Sequence, residues 1–234
     1  MAVFHGLGAV MPTKPAAPVA DVHLGRLPDA ELVVFLPWSK PFDGAGWLFE
    51  PRYDGFRGLL YRSASGCEIR ARQDFHFEEF RDLRDRVASV LGDHEAILDG
   101  EIVSLDAKGK PVFRDLLKGQ GYLAFAAFDL LWLDGCDLRA LPLGERKQRL
   151  AALLPLDTGP LYKVFTLEEH GRALFETARK MDLEGIVAKR SRDPYAPETF
   201  WYEIRNPAYR QGESGMDRSL PRSRPRAPDR ETVE

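Results

Sequence analysis

The chain is poor in several features that would assign it a role at once. Only two of its 234 residues are cysteines, Cys67 and Cys136. Neither belongs to a C-x-x-C pair, and none of the five histidines stands at a zinc-finger spacing from them, so a structural zinc site is excluded. Two buried, reduced thiols are the expectation, which suits a reducing, cytoplasmic setting. Charge of one sign is also lacking: 33 Lys and Arg against 36 Asp and Glu leave a net charge of −3. No global basic field announces nucleic acid, and a DNA site has to be a local patch. No apolar run is long enough to span a membrane. The opening MAVFHGLGAVMPTKP has no basic n-region followed by an apolar h-region, so no signal peptide is expected. No internal repeat occurs.

What is present is an ordinary globular composition, 44% hydrophobic and 29% charged, enough to bury the core of one large domain or two small ones. Residues 1–22 mix Gly, Ala and Pro without period and read as a loose arm. Residues 46–49 lead into a polar motif as a strand. Residues 57–61 (RGLLY) and 68–72 (EIRAR) read as strands around the turn 63–66. Apolar residues at 77, 80, 83, 87, 90 and 91 have helical spacing. Residues 96–98 and 102–105 read as a short strand pair about a turn at Asp99-Gly100-Glu101. Residues 122–133 (YLAFAAFDLLWL) form an unbroken apolar run, the mark of a fully buried strand. Helices are expected over 143–153 and over 166–181, the second opening at Thr166 with Glu168 and Glu169 in its first turn. Strands follow at 185–189 and 199–205. Residues 212–234 are Arg, Pro, Ser and acids, with Arg218, Arg222, Arg224, Arg226 and Arg230 making a basic middle. They read as a disordered, solvated tail, with weak nucleic-acid contact as the alternative. The mixture of short strands and helices argues an α+β class with the domain over 23–211.

Polar groups stand inside apolar strands at several points where bare structure would not put them. They are Glu50-Pro51-Arg52-Tyr53-Asp54-Gly55-Phe56-Arg57, Asp99-Gly100-Glu101, Phe128-Asp129, Glu184 through Lys189 (EGIVAK), and Trp201 through Pro207 (WYEIRNP). A D-G pair alone is an ordinary turn. The order and spacing of all five are specific.

Together with WLFEPRYDGFR, LDGEIV, FDLLWLDG followed by LPLGERK, and WYEIRNPAY, these phrases resemble the adenylation domain of ATP-dependent DNA ligases, especially the bacterial ligases of end-joining repair. The resemblance covers roughly residues 37–211. It implies an ATP-grasp-like nucleotidyltransferase fold of antiparallel sheets flanked by helices. In the family a lysine in E-x-K-x-D-G-x-R attacks the α-phosphate of ATP, and the adenylate passes to a DNA 5′-phosphate before the nick is sealed. The resemblance implies that Glu50 lies near the adenine amine, that Arg57 and Arg72 reach sugar and phosphates, that Glu101 serves ribose and metal, that Phe128 stacks on adenine, and that Glu184 helps hold Mg²⁺. Arg205 falls at a nucleotide-binding position. Lys189 stays open between a site role and a solvated surface lysine.

The pattern breaks at the phosphate end. Arg52 stands at the nucleophile position, where the resemblance calls for lysine. A guanidinium stays protonated at physiological pH and its lone pairs are delocalised, so it can hold a phosphate but not form an adenylate. Glu203 and Arg205 replace the two lysines of W-x-K-x-K, and Glu203 should repel a triphosphate. Arg52 and Glu203 are expected to pair. Lys40 and Lys189 are the nearby amines that could substitute as nucleophile, and nothing in the sequence places either at the α-phosphate. About two dozen residues follow the last motif, so no C-terminal OB domain is expected in this chain. The functional expectation is a ligase-family adenylation domain acting in DNA repair and recombination, impaired in self-adenylation. Its implied ligands are ATP, Mg²⁺ and nicked or broken double-stranded DNA, with an OB-domain or end-joining protein as a partner in trans and no membrane. The alternatives are a non-catalytic nucleotide- or DNA-binding relative acting as a repair partner, or an RNA-directed nucleotidyltransferase.

Overall fold

The computed structural model describes residues 27–71, 80–156 and 159–210. The expected arm at 1–22, the tail at 212–234 and Arg72 lie outside the described residues. Among the described residues, eleven strands and four helices follow in the order β1 (Val34–Pro37), β2 (Trp47–Arg52), β3 (Phe56–Ser63), β4 (Gly66–Ala71), α1 (Arg81–Leu91), β5 (Ala96–Leu105), α2 (Phe113–Leu117), β6 (Tyr122–Leu133), β7 (Cys136–Asp137), α3 (Leu143–Leu153), β8 (Leu161–Lys163), β9 (Leu167–Glu168), α4 (Gly171–Lys180), β10 (Gly185–Arg190) and β11 (Phe200–Arg205).

The strands form two sheets. One runs β1-β11-β10-β2-β9; the other runs β4-β3-β5-β6-β7, with β8 added beside β6. Most pairs are antiparallel, as expected, and two parallel ones, β1 with β11 and β8 with β6, make the sheets mixed. The physical reason is connection length. Residues 134–160 carry β7 and α3 between β6 and β8, the kind of crossover a parallel pair requires, and β1 and β11 are too far apart in sequence for a hairpin to dictate direction.

Three apolar layers result. Phe80, Leu83, Val87 and Leu91 of the α1 region pack with Leu150 of α3 against Leu60, Leu98 and Phe125 on the outer face of the larger sheet. Phe128, Val187, Trp201 and Tyr162 fill the gap between the two sheets. Leu174, Phe175 and Ala178 of α4 cover Phe49, Ile186, Ala188 and Ile204 on the outer face of the smaller sheet.

Two sequence expectations fail here. Residues 96–105 are one continuous strand, not two strands about a turn. Asp99-Gly100 marks a register shift against β6, not a reversal. Glycine is there because of a close approach: a Cβ at Gly100 would stand 2.3 Å from the Phe125 ring and 2.6 Å from the Ala126 carbonyl oxygen. The helix expected from Thr166 begins instead at Gly171. Leu167 and Glu168 are captured as β9 by the edge of β2, and Glu169, at φ 64°, turns the chain before α4 starts. Gly171 allows α4 to dock, since a Cβ there would lie 2.3 Å from the Phe42 carbonyl oxygen and 2.4 Å from the Phe49 ring. Asp43 accepts a hydrogen bond from the Arg172 N–H at 3.0 Å, satisfying one of the exposed donors of the first turn. Both cysteines are free thiols, half-buried and not fully buried as expected; burial pushes Cys67 up to about 11.

The strongest tie between α3 and the larger sheet is ionic. Arg146 donates to both carboxylate oxygens of Asp129, at 2.9 and 2.8 Å, and to the Asp193 carbonyl at 3.1 Å. Arg146 is 1% exposed and Asp129 0%. Arg146→Met is expected to destabilise the fold by roughly 3–5 kcal/mol, because Asp129 is left buried without its partner. Adding Asp129→Leu should recover most of that loss in urea denaturation, and a single-variant loss under about 1 kcal/mol would show that the carboxylate finds solvent another way.

Candidate active site

Alternation along the smaller sheet sorts its residues between two faces. Phe49, Ile186, Ala188 and Ile204 serve the α4 layer. Glu50, Arg52, Val187, Lys189, Trp201 and Glu203 therefore point into the gap between the sheets. Register places Glu50, Val187 and Glu203 in one row across three strands, with Arg52, Gly185 and Arg205 in the next.

At the head of this gap the Arg52 guanidinium lies between two carboxylates. Its Nη1 is in close contact with Glu184, and its Nη2 is 3.2 Å from Glu203. Glu203 Oε1 also accepts from Arg205 at 2.9 and 3.1 Å. The expected pairing of Arg52 with Glu203 is thus present, and Glu184 is a second partner that the sequence reading had not assigned. Glu184 and Glu203 are buried, whereas the Arg205 side chain is 54% exposed.

Arg57 is also occupied. It donates to Asp99 at 2.8 and 3.2 Å and to the Val33 carbonyl at 2.7 Å. Its guanidinium lies 4.4 Å from the Phe35 ring centroid and 5.1 Å from that of Trp201. Burial works against this charge, but Asp99 holds the Arg57 pKa above its ordinary value. Asp99 further accepts from the Tyr195 hydroxyl at 2.7 Å. Glu101, two residues on, is pushed up to about 8 by burial, against the pull of Arg57 and Arg52, so it is mostly protonated at neutral pH. Gly55 is explained by packing: a Cβ there would stand 2.3 Å from the Ile102 carbonyl oxygen. Asp54 accepts from the Tyr209 hydroxyl at 2.9 Å, so the chain leaving β11 crosses over the D-G turn.

The other end of the gap is built around Glu50. Its carboxylate accepts from Lys189 Nζ at 2.6 Å and Thr166 Oγ1 at 3.1 Å, and it pairs closely with Lys147 of α3. Burial alone would raise the Glu50 pKa; the two ammonium groups outweigh it and hold it below the usual range. Lys189 is 1% exposed, which overturns the reading of it as a solvated surface lysine. Its Nζ sits 3.7 Å from the Trp201 ring centroid and 4.5 Å from that of Phe128. Lys189 is opposite Leu48 on β2, four residues from Arg52 and so roughly 13 Å along the strand. It does not stand near enough to take the place of Arg52. Lys40 is exposed in the loop after β1.

Beside Glu50 opens a cavity of about 670 Å³ lined by Tyr53, Lys147, Tyr162, Val164, Thr166 and Glu168, among others. Burial, and next the Glu50 charge, push Tyr53 up to about 12, so it stays neutral. Sequence reasoning assigned no role to Lys147, Thr166, Tyr53 or Asp99. Lys147 was inside the quoted phrase LPLGERK, and its one-residue offset from Arg146 was the signal available. Thr166 was hidden by its reading as a helix start.

Burial pushes the Lys189 ammonium down to about 8, with Glu50 opposing that shift. Because the folded-state pKa is depressed, the unfolded chain holds this proton more tightly between about pH 8 and 10.5, and the group's stability contribution grows as pH rises through that window. Relative to Lys189→Met, the natural chain should gain on the order of 2 kcal/mol in urea denaturation between neutral pH and about pH 10. A difference that stays flat with pH would mean that Lys189 ionises as it does in water.

Comparison with known proteins places these features in a family. The ATP dependent DNA ligase domain matches residues 38–204, most of the chain. The multifunctional non-homologous end joining protein LigD of Mycolicibacterium smegmatis is 32% identical over 191 residues, 74% of this chain and 24% of that protein. LigD of Pseudomonas aeruginosa is 36% identical over 156 residues, 64% of this chain and 18% of that protein. The chain therefore spans about a quarter or less of these relatives. The ligase domain of LigD from M. tuberculosis superimposes with a TM-score of 0.62 at 31% identity, covering 74% of this chain and 59% of that one. From the extent of the domain match, with the same two-sheet nucleotidyltransferase fold behind it, the chain belongs to the ATP-dependent DNA ligase family.

Proposed function

We propose that this chain is a ligase-family adenylation domain that holds an adenine nucleoside or nucleotide between its sheets and does not transfer adenylate to itself. The observation that carries the reading is the Arg52 guanidinium clamped between Glu184 and Glu203. Arg52 is the side chain that the resemblance sets at the nucleophile position. A protonated guanidinium offers phosphorus no lone pair, and the first covalent step of ligation fails without one.

The other expected roles divide by what each side chain already touches. The cavity next to Glu50 remains suited to an aromatic base, with Glu50 and Thr166 as hydrogen-bonding groups at its edge, whereas Phe128 lies outside its lining and already faces Lys189 and Trp201. Arg57 is bound to Asp99 and acts in this arrangement to join β3 to β5, so its expected sugar contact requires a rearrangement. Arg205 retains one exposed face toward solvent. Of the two carboxylates that the resemblance assigns to Mg²⁺, Glu184 is taken by Arg52, so holding the metal there requires Glu184 to exchange its partner. No step is derived through a metal.

The setting of this activity is DNA repair and recombination. A repair role is supported by relatives named for non-homologous end joining, and the reading takes broken or nicked duplex DNA as its ligand class and an end-joining or OB-domain protein as its partner class. No helix of the described residues is long and apolar enough to cross a membrane.

Incubation with ATP radioactive in its α-phosphate, followed by denaturation, tests the covalent half of the proposal. The natural protein is expected to retain no label, and Arg52→Lys to retain label only to the extent that Glu184 and Glu203 leave its amine unprotonated. Retained label on the natural protein would overturn the reading, because some other side chain would then be the nucleophile.

A further inference from the structure

The arrangement of charge at the head of the gap bears on which ligand enters it, and this inference rests on the adenine-site reading above. Arg52 is held by Glu184 and Glu203, Arg205 by Glu203, and Arg57 by Asp99. At the row where Arg52 and Arg205 flank Gly185, two guanidinium groups and two carboxylates cancel. Glu203 connects them: one of its oxygens faces Arg52 and the other takes both bonds from Arg205. A multiply charged phosphate chain arriving here meets two buried carboxylates whose cations are already engaged. To win Arg52 it must break an existing ion pair and leave a buried carboxylate beside its own negative charge, and at the half-exposed Arg205 it still meets Glu203 as the nearer anion.

The cavity is lined by neutral tyrosines and Thr166 with Lys147 and Lys163 against Glu168 and Glu169, in a volume within the range of small-molecule sites that offers a phosphate chain no surplus of positive charge. The two regions select differently: one accepts a base and sugar, and the other rejects an anion.

We propose that Glu203 is a specificity-determining residue that makes this cleft take uncharged adenine nucleosides in preference to nucleoside triphosphates. Discrimination of this kind comes from a built-in repulsive element as much as from an attractive one. Glu203 supplies it twice, as a carboxylate facing the incoming phosphates and as the partner that occupies the arginines.

Equilibrium dialysis of the full chain with radiolabelled adenosine, AMP and ATP, each with and without MgCl₂, tests the proposal. The natural protein, Glu203→Lys and Glu203→Gln are compared, with near-UV circular dichroism confirming that each is folded. The natural protein should hold adenosine about tenfold or more tightly than ATP, with AMP between them. Glu203→Lys should raise ATP affinity by about tenfold or more while moving adenosine by less than about threefold, and Glu203→Gln should give a smaller gain of the same sign. Tighter binding of ATP than adenosine by the natural protein, whether or not Mg²⁺ is needed for it, would overturn the preference and leave the adenine site standing. An adenosine-to-ATP ratio unchanged across all three proteins would remove Glu203 as its cause. Failure of every ligand to bind any of the three would overturn this inference together with the adenine-site reading beneath it.

Discussion

The constraint on which the rest of this structure depends is that two sheets pack face to face with charged side chains in the gap. A charge taken out of water costs several kcal/mol unless a partner and hydrogen bonds replace its solvation. The fold meets that requirement by pairing at successive points: Arg146 with Asp129, Arg57 with Asp99, Glu50 with Lys189 and Lys147, and Arg52 with Glu184 and Glu203. Each set joins elements distant in sequence. Arg57 and Asp99 tie β3 to β5, Glu50 ties β2 to β10 and α3, and Arg52 ties β2 to β11. Arg146 and Lys147 anchor α3, the other pairs brace strands within each sheet, and the apolar layer of Phe128, Val187, Trp201 and Tyr162 fills the gap between the sheets.

The same pairing sets the chemistry. A group that binds a nucleotide must be free to exchange its partner for the ligand at small cost. In this chain Arg52, Arg57 and Arg205 are each answered by internal carboxylates. Arg52 stabilises the meeting of β2, β10 and β11. The region beside Glu50 keeps a cavity and polar groups at its wall.

Some of this was legible in the residue pattern. The apolar run of β6, the hairpin of β3 and β4, α3, and the strands β10 and β11 announced themselves by local periodicity, and packing did not disturb them. Asp99-Gly100 misled because a D-G pair is a turn signal in any local reading. What it marks is a strand passing close under the Phe125 ring, while Asp99 is turned inward to Arg57 and Tyr195. Thr166 misled for a similar reason: acidic residues after a threonine suggest a helix start, but the open edge of β2 offered Leu167 and Glu168 ladder hydrogen bonds first. Burial of Lys189 had no local signature, because an EGIVAK strand reads the same whether its last lysine faces solvent or a carboxylate on the next strand.

The sequence by itself determined which residue types occupy the cleft and in what order along the strands. It also determined that the side chain of residue 52 stays cationic, since a guanidinium's protonation depends on its own structure and hardly on its surroundings. The tertiary structure alone decided which charges answer which. The pairing of Arg52 with both Glu184 and Glu203, of Arg57 with Asp99, and of two lysines with Glu50 depends on registers and side-chain directions that arise only when strands distant in sequence, and α3, come together in the folded chain. Coulomb interaction is fixed by distance and exclusion of water, and a linear sequence contains neither.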